Sequence, residues 1–199
     1  VAFLSGAPVH EVKGKVRARH SLCFRLANVD VAEFVQYFRE HPEEYPAYVD
    51  VDWDVMEACR QFDETGTFLF PHGGGQQWSL ITEGVAAGTF QRNVGVYDNV
   101  DALQMHAIGP LGVVNVITGY VELDQLDIGQ ISRAMADGRR MAQHVADYFR
   151  KHVPGFANTY VAATADDLGI RVSRWIDGDF VLTKAMIESA CRFSDAIGR

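Results

Sequence analysis

Residues 127–149 constrain the fold more than any other part of the chain. Ile131, Ala134, Met135, Gly138, Met141, Ala142, Val145, Tyr148 and Phe149 recur at intervals of three, four and seven, the stripe of an amphipathic helix. Asp127 stands at the N-cap position with Gln130 at the third helical position, and Pro154-Gly155 closes the segment. Gly138 lies on the apolar side, so that side is expected to pack closely on a sheet or another helix. Arg133, Asp137, Arg139, Arg140 and Asp147 fall mostly outside the stripe and read as solvated charge.

The flanking segments supply short strands. Leu22, Phe24 and Leu26 alternate as one face of a strand. Asp30, with Glu33 three residues on, caps a helix carrying Val31, Phe34, Val35 and Phe38, and His41-Pro42 ends it. Residues 42–49 read as loop. A second helix is expected over residues 51–62, stopped by Thr65-Gly66. Strands are expected at residues 67–70, 78–81, 89–96, 104–108, 113–118 and 159–164, and a last helix at 184–197. Turns are expected at Gly88, Asp98-Asn99 and Gly109-Pro110. The fold class is α+β: an antiparallel or mixed sheet of roughly 6–8 strands, covered on one face by about three to five helices. Residues 1–20 read as a linker or edge segment, and 21–199 as a single domain.

Residues 168–183 predict a hairpin. Ile170, Val172 and Ile176 are its alternating apolar residues, Asp177-Gly178 its tip, and Phe180-Val181-Leu182 its return strand. Arg171 and Arg174 stand among those apolar residues, and a buried guanidinium needs an anionic partner. A structural salt bridge, a solvated face and an anion site all remain open on the residues alone.

Several classes of function are disfavoured. A formal net charge of -8 argues against a nucleic-acid or anionic-membrane binder. The basic run Lys13, Lys15, Arg17, Arg19 alternates with Gly14, Val16 and Ala18, as a solvated edge would. No apolar run approaches the ~20 residues of a membrane span. Cys23, Cys59 and Cys191 are odd in number and far apart, which fits buried thiols in a reducing, cytoplasmic compartment. His144 and His152 do not share a metal-binding spacing, and no His-x-His or His-Glu-x-x-His occurs, so no metal site is expected. Gly73-Gly74-Gly75 follows a strand but lacks the Gly-x-Gly-x-x-Gly spacing, and neither a dinucleotide fingerprint nor a Walker loop occurs elsewhere. That loop reads as a flexible connection or a ligand-facing turn. The chain starts at Val1, which suggests a piece of something longer.

From the long helix onward the pattern resembles a group of bacterial FAD-dependent oxidoreductases. The residues that carry the resemblance are Asn115 in a β-branched strand, Gly138-Arg139-Arg140, Val153-Pro154-Gly155-Phe156-Ala157-Asn158 and Ala163-Thr164-Ala165. Residues 169–183 match a Gly-Ile-Arg…Arg…Ile-x-Gly-Asp-x-x-Leu-Thr run of that family, and residues 22–30 resemble the entry to its substrate-side domain. Two positions depart: Val172 stands where the family usually has Glu, and Trp175 where it usually has a second Arg. The resemblance implies FAD in the intact parent, bound by an N-terminal Rossmann unit that this chain lacks. It therefore implies a substrate-side domain that binds no cofactor and is inactive alone. Its partners would be the missing FAD-binding domain and a small organic substrate. Arg171, Arg174, Asn115, His72 and His106 are the candidates for facing substrate or flavin, with Tyr97 as a weaker one. No catalytic base is identified. A stand-alone small-ligand-binding module is the alternative, and a purely structural interaction domain a third reading.

Overall fold

The computed structural model describes residues 2–11, 19–47 and 54–194. Within them, seven strands and five α-helices follow one another: β1 (Val9–Glu11), β2 (Phe24–Ala27), α1 (Val31–Glu40), α2 (Val55–Thr65), β3 (Thr67–Phe70), α3 (Ser79–Ala86), β4 (Gln104–Ile108), β5 (Val113–Ile117), α4 (Ile128–His152), β6 (Tyr160–Thr164), β7 (Arg174–Ile176) and α5 (Lys184–Glu188). The fold is α+β with antiparallel pairing throughout. The chain divides into two compact units, one of residues 13–172 and the other of residues 1–12 with 173–199.

The larger unit is built on a five-stranded sheet in the order β3-β4-β5-β2-β6. Alternation along each strand separates two faces. Phe68 and Phe70, Met105 and Ala107, Val114 and Val116, and Phe24 and Leu26 are all buried on one of them. Onto that face α1 packs Phe34 and Phe38, and α4 packs Met141, Val145 and Phe149, in one continuous core. Phe34 meets Phe38, Phe68 and Phe156 edge-to-face at centroid distances of 5.3, 5.6 and 5.2 Å, an arrangement that adds to the energy of burial alone.

The helix boundaries follow from their caps. Asp30 accepts the Glu33 N–H at 2.9 Å. Asp127 accepts from the Gly129 and Gln130 N–H groups, while the Gln130 side chain donates back to its second oxygen at 2.9 Å. Gly66, at φ 71°, ends α2 in the left-handed conformation. Along α4, Gly138 lies against Leu22 and Tyr97, the close approach its position predicts.

Other expectations need correction. Residues 78–81 open α3 instead of forming a strand. The run is too short for periodicity to separate helix from strand, and Glu44 caps the helix, its carboxylate accepting the Ser79 N–H at 2.9 Å. Residues 89–96 form no strand; Val94 and Tyr97 make a single bridge across a tight turn. Asp137 is buried instead of solvated, accepting the Val96 N–H at 2.9 Å and pairing with Arg140. Residues 42–44 form a short 3₁₀ turn within the expected loop. The start of the second expected helix, at 51–53, and the cations Lys13, Lys15 and Arg17 lie outside the described residues.

The hairpin expected at 168–183 does not form. β7 pairs with β1 instead, Glu11 opposite Arg174 and Val9 opposite Ile176. A tight Asp-Gly hairpin needs positive φ at its centre, and Gly178 does not adopt it; the Asp177 N–H continues the β1 pairing by donating to the Pro8 carbonyl at 2.8 Å. The last helix is a single short turn, α5, and residues 195–197 lie outside the described part.

Candidate functional site

The second face of the five-stranded sheet carries the polar side chains that its core face excludes. Register places Arg25 of β2 opposite Asn115 of β5, Asn115 opposite His106 of β4, and His106 opposite Leu69 of β3. Ala163 of β6 stands on the other side of Arg25. Arg25 Nε donates to Asn115 Oδ1 at 2.9 Å. Arginine is a donor only, so this bond fixes the amide orientation and leaves Asn115 Nδ2 as a second donor. The terminal nitrogens of Arg25 have no carboxylate in ion-pair range among the described residues. Beside this row Ile117 stands opposite Gln104, and on its other side Val113 stands opposite Ile108. A hollow of about 390 Å³ covers part of the face, lined by Cys23, Arg25, Asn115, Ile117, Ala163 and Ala165 among others. Burial raises the pKa of the Cys23 thiol and Arg171 opposes the shift without reversing it, so the thiol stays protonated at neutral pH.

A second cluster lies in the same unit. The Tyr120 hydroxyl is hydrogen-bonded to the His72 ring, and the Arg19 guanidinium lies 5.7 Å over the Tyr120 ring. Burial raises the Tyr120 pKa while Arg19 and Arg171 pull it back. His20 is fully buried. Its Nδ1 accepts the Arg171 N–H at 3.2 Å, and its Nε2 is buried with no hydrogen-bond partner among the described residues. Burial lowers the His20 pKa; the Gly169 carbonyl tempers this and Arg171 adds to it. The imidazole is therefore neutral at pH 7.

The sequence candidates are thus dispersed. Asn115 and His106 share the sheet face, His72 joins Tyr120, and the Arg171 backbone holds His20. Arg174 lies in the smaller unit, where it pairs with Glu11 at 3.1 Å and stacks over Phe3 at 4.4 Å. Tyr97 is a core residue whose hydroxyl donates to the Ala134 carbonyl at 3.0 Å; burial, with Asp137 nearby, raises its pKa. Sequence reasoning passed over Arg25 and read all three cysteines as buried, whereas Cys23 and Cys191 are exposed and only Cys59 is buried; the alternation of Leu22, Phe24 and Leu26 puts Arg25 and Cys23 on the opposite face. Tyr120, Arg19 and His20 carried no comparable signal.

The chain's glycine-rich loop does not fit a dinucleotide pyrophosphate. A Cβ on Gly74 would meet Phe70 and Pro46 at 2.6 Å, and one on Gly75 would meet the Asp101 carbonyl at 2.2 Å, so both glycines are packed against protein. The helix start that follows already holds the Glu44 carboxylate at the Ser79 N–H, the place a phosphate would take. A larger hollow of about 500 Å³ borders Asn28, Asp30, Gly155 and Asn158. There the Asp30 carboxylate is occupied as the cap of α1, and the Asp30 N–H donates to the Gly155 carbonyl. No group of three or more metal-ligating side chains converges among the described residues, and none of their helices is long and apolar enough to cross a membrane.

A family model described as FAD dependent oxidoreductase matches residues 1–199. Neither a curated protein nor a solved structure matches the chain.

Proposed function

The chain belongs to the FAD dependent oxidoreductase family, and on that premise we propose that it forms the substrate-side part of a flavoenzyme. The observation that carries this reading is the bare sheet face with its Arg25–Asn115–His106 row, set in a chain whose loop glycines Gly74 and Gly75 are packed against its own residues. FAD belongs to the intact enzyme and to a dinucleotide-binding domain of the same polypeptide. This chain shapes and polarises the pocket for a small organic substrate, and no step at the flavin is assigned to its residues.

The smaller unit supports the division. Trp175, Ile176, Phe180, Val181, Leu182 and Ile187 are all exposed there. Six exposed apolar side chains in so short a stretch favour a covering partner, and an FAD-binding domain is the partner proposed for them. The proposed setting is the cytoplasm, where the three cysteines, all unpaired, would remain reduced.

The test is to purify the 199-residue chain and record its flavin absorbance, alone and after reconstitution with FAD. A colourless protein that retains no FAD on gel filtration is the expected result. A tightly held, stoichiometric flavin would overturn the division of labour.

A further inference from the structure

We propose that the open face of the larger unit's sheet is a subsite for a small carboxylate with an apolar body, its carboxylate held between Arg25 and Asn115. The inference rests on the substrate-side reading above and gives that pocket a ligand class.

Arg25 spends Nε on Asn115 Oδ1. That bond fixes the guanidinium plane and leaves its terminal N–H groups and the Asn115 Nδ2 amide as donors on neighbouring strands. Two adjacent donor groups on neighbouring strands match the two oxygens of a carboxylate. His106 stands next in the row, opposite Asn115. The side chains lining the hollow include one guanidinium and no carboxylate, so no acid among them competes for the site. Positive charge reaches its Cys23 end as well, where Arg171 acts on the thiol.

The surroundings set the rest of the ligand. Ile117, Ala163 and Ala165 line the hollow, and its volume of about 390 Å³ is at the small end of ligand pockets, which run roughly 300–1,000 Å³. A phosphate dianion would call for a cradle of backbone N–H groups, and on this face the N–H groups of β2 and β5 are engaged in the sheet ladder. The carboxylate is therefore favoured over the phosphate.

The probe is benzoate, with benzamide as its neutral isostere and phenyl phosphate as the rival anion. Binding to the full chain is followed by calorimetry and by the His106 ring signals in NMR. Saturable benzoate binding is expected to shift those signals, with benzamide weaker by at least roughly tenfold, the size of one charge-assisted hydrogen bond. Arg25→Met and Asn115→Leu should each weaken benzoate by a similar factor with an unchanged circular dichroism spectrum. Equal affinity for benzoate and benzamide, tighter binding of phenyl phosphate, binding indifferent to both substitutions, or no saturable binding would each overturn the proposal. Selective benzoate binding by a chain that also retains FAD would keep this subsite and sink the division of labour. A colourless chain that ignores benzoate would do the reverse.

Discussion

Gly138 and Leu22 approach so closely that a Cβ on the glycine would lie 2.5 Å from Leu22 Cδ2 and 2.9 Å from Leu22 Cβ, with the Tyr97 hydroxyl at 3.0 Å. Two of those atoms belong to one fully buried side chain, so a rotamer change cannot relieve both contacts. Gly138→Ala gains up to about 1 kcal/mol of helix propensity but overpacks the core at a cost of about 1–3 kcal/mol. Net destabilisation is expected in urea unfolding, and Gly138→Val should lose more. A more stable alanine variant would show that α4 can slide away from the segment before β2.

Two histidines make stability depend on pH. Burial lowers the pKa of both His20 and His144 from 6.5, with Asp147 partly opposing the shift at His144. Between that value and the lower folded pKa, the unfolded chain binds more protons than the folded one, so stability falls as pH drops below about 6.5. His144 Nε2 accepts the Gln91 N–H at 3.0 Å, an acceptor role a glutamine amide can imitate. His144→Gln is therefore expected to flatten the fall in melting temperature between about pH 6.5 and 5. A profile unchanged by the substitution would remove His144 from the account.

Glu44 caps α3 from thirty-five residues upstream. Glu44→Ala should cost about 0.5–2 kcal/mol, the range for losing a side-chain cap, and should speed hydrogen exchange at the Ser79 amide. Unchanged exchange at that amide would mean the carboxylate contributes nothing there.

Arg174 and Glu11 form a pair with both side chains partly exposed. Arg174→Gln is expected to change stability by less than about 1 kcal/mol, as exposed pairs do. A loss several times larger in the unfolding midpoint would assign Arg174 a role beyond pairing with Glu11 and covering Phe3.

Much of this was legible in the chain. The stripes of α1 and α4 and the strands β4 and β5 could be read because their buried apolar residues meet the same core. Gly138 was legible for the same reason: a glycine on an apolar stripe has little use except close packing. The start of α3 was not legible, because the group that stabilises it comes from another segment. Asp137 misled because its partner, the Val96 N–H, belongs to a distant loop. At the site, the motif of residues 169–183 singled out Arg171 and Arg174. Arg25, one strand position from two core residues, was readable from alternation alone.

The pairing of β1 with β7 has a consequence in time. Glu11 and Arg174 are separated by 163 residues. At a synthesis rate of about 5–20 residues per second, β1 emerges from the ribosome roughly 10–30 s before its partner. Every strand of the larger sheet is made within that interval, while Val9–Glu11 stays an unpaired edge that any passing strand could join. A ribosome that stalls before residue 174 releases a chain with its large sheet complete and its first strand bare, a natural substrate for chaperones or for aggregation.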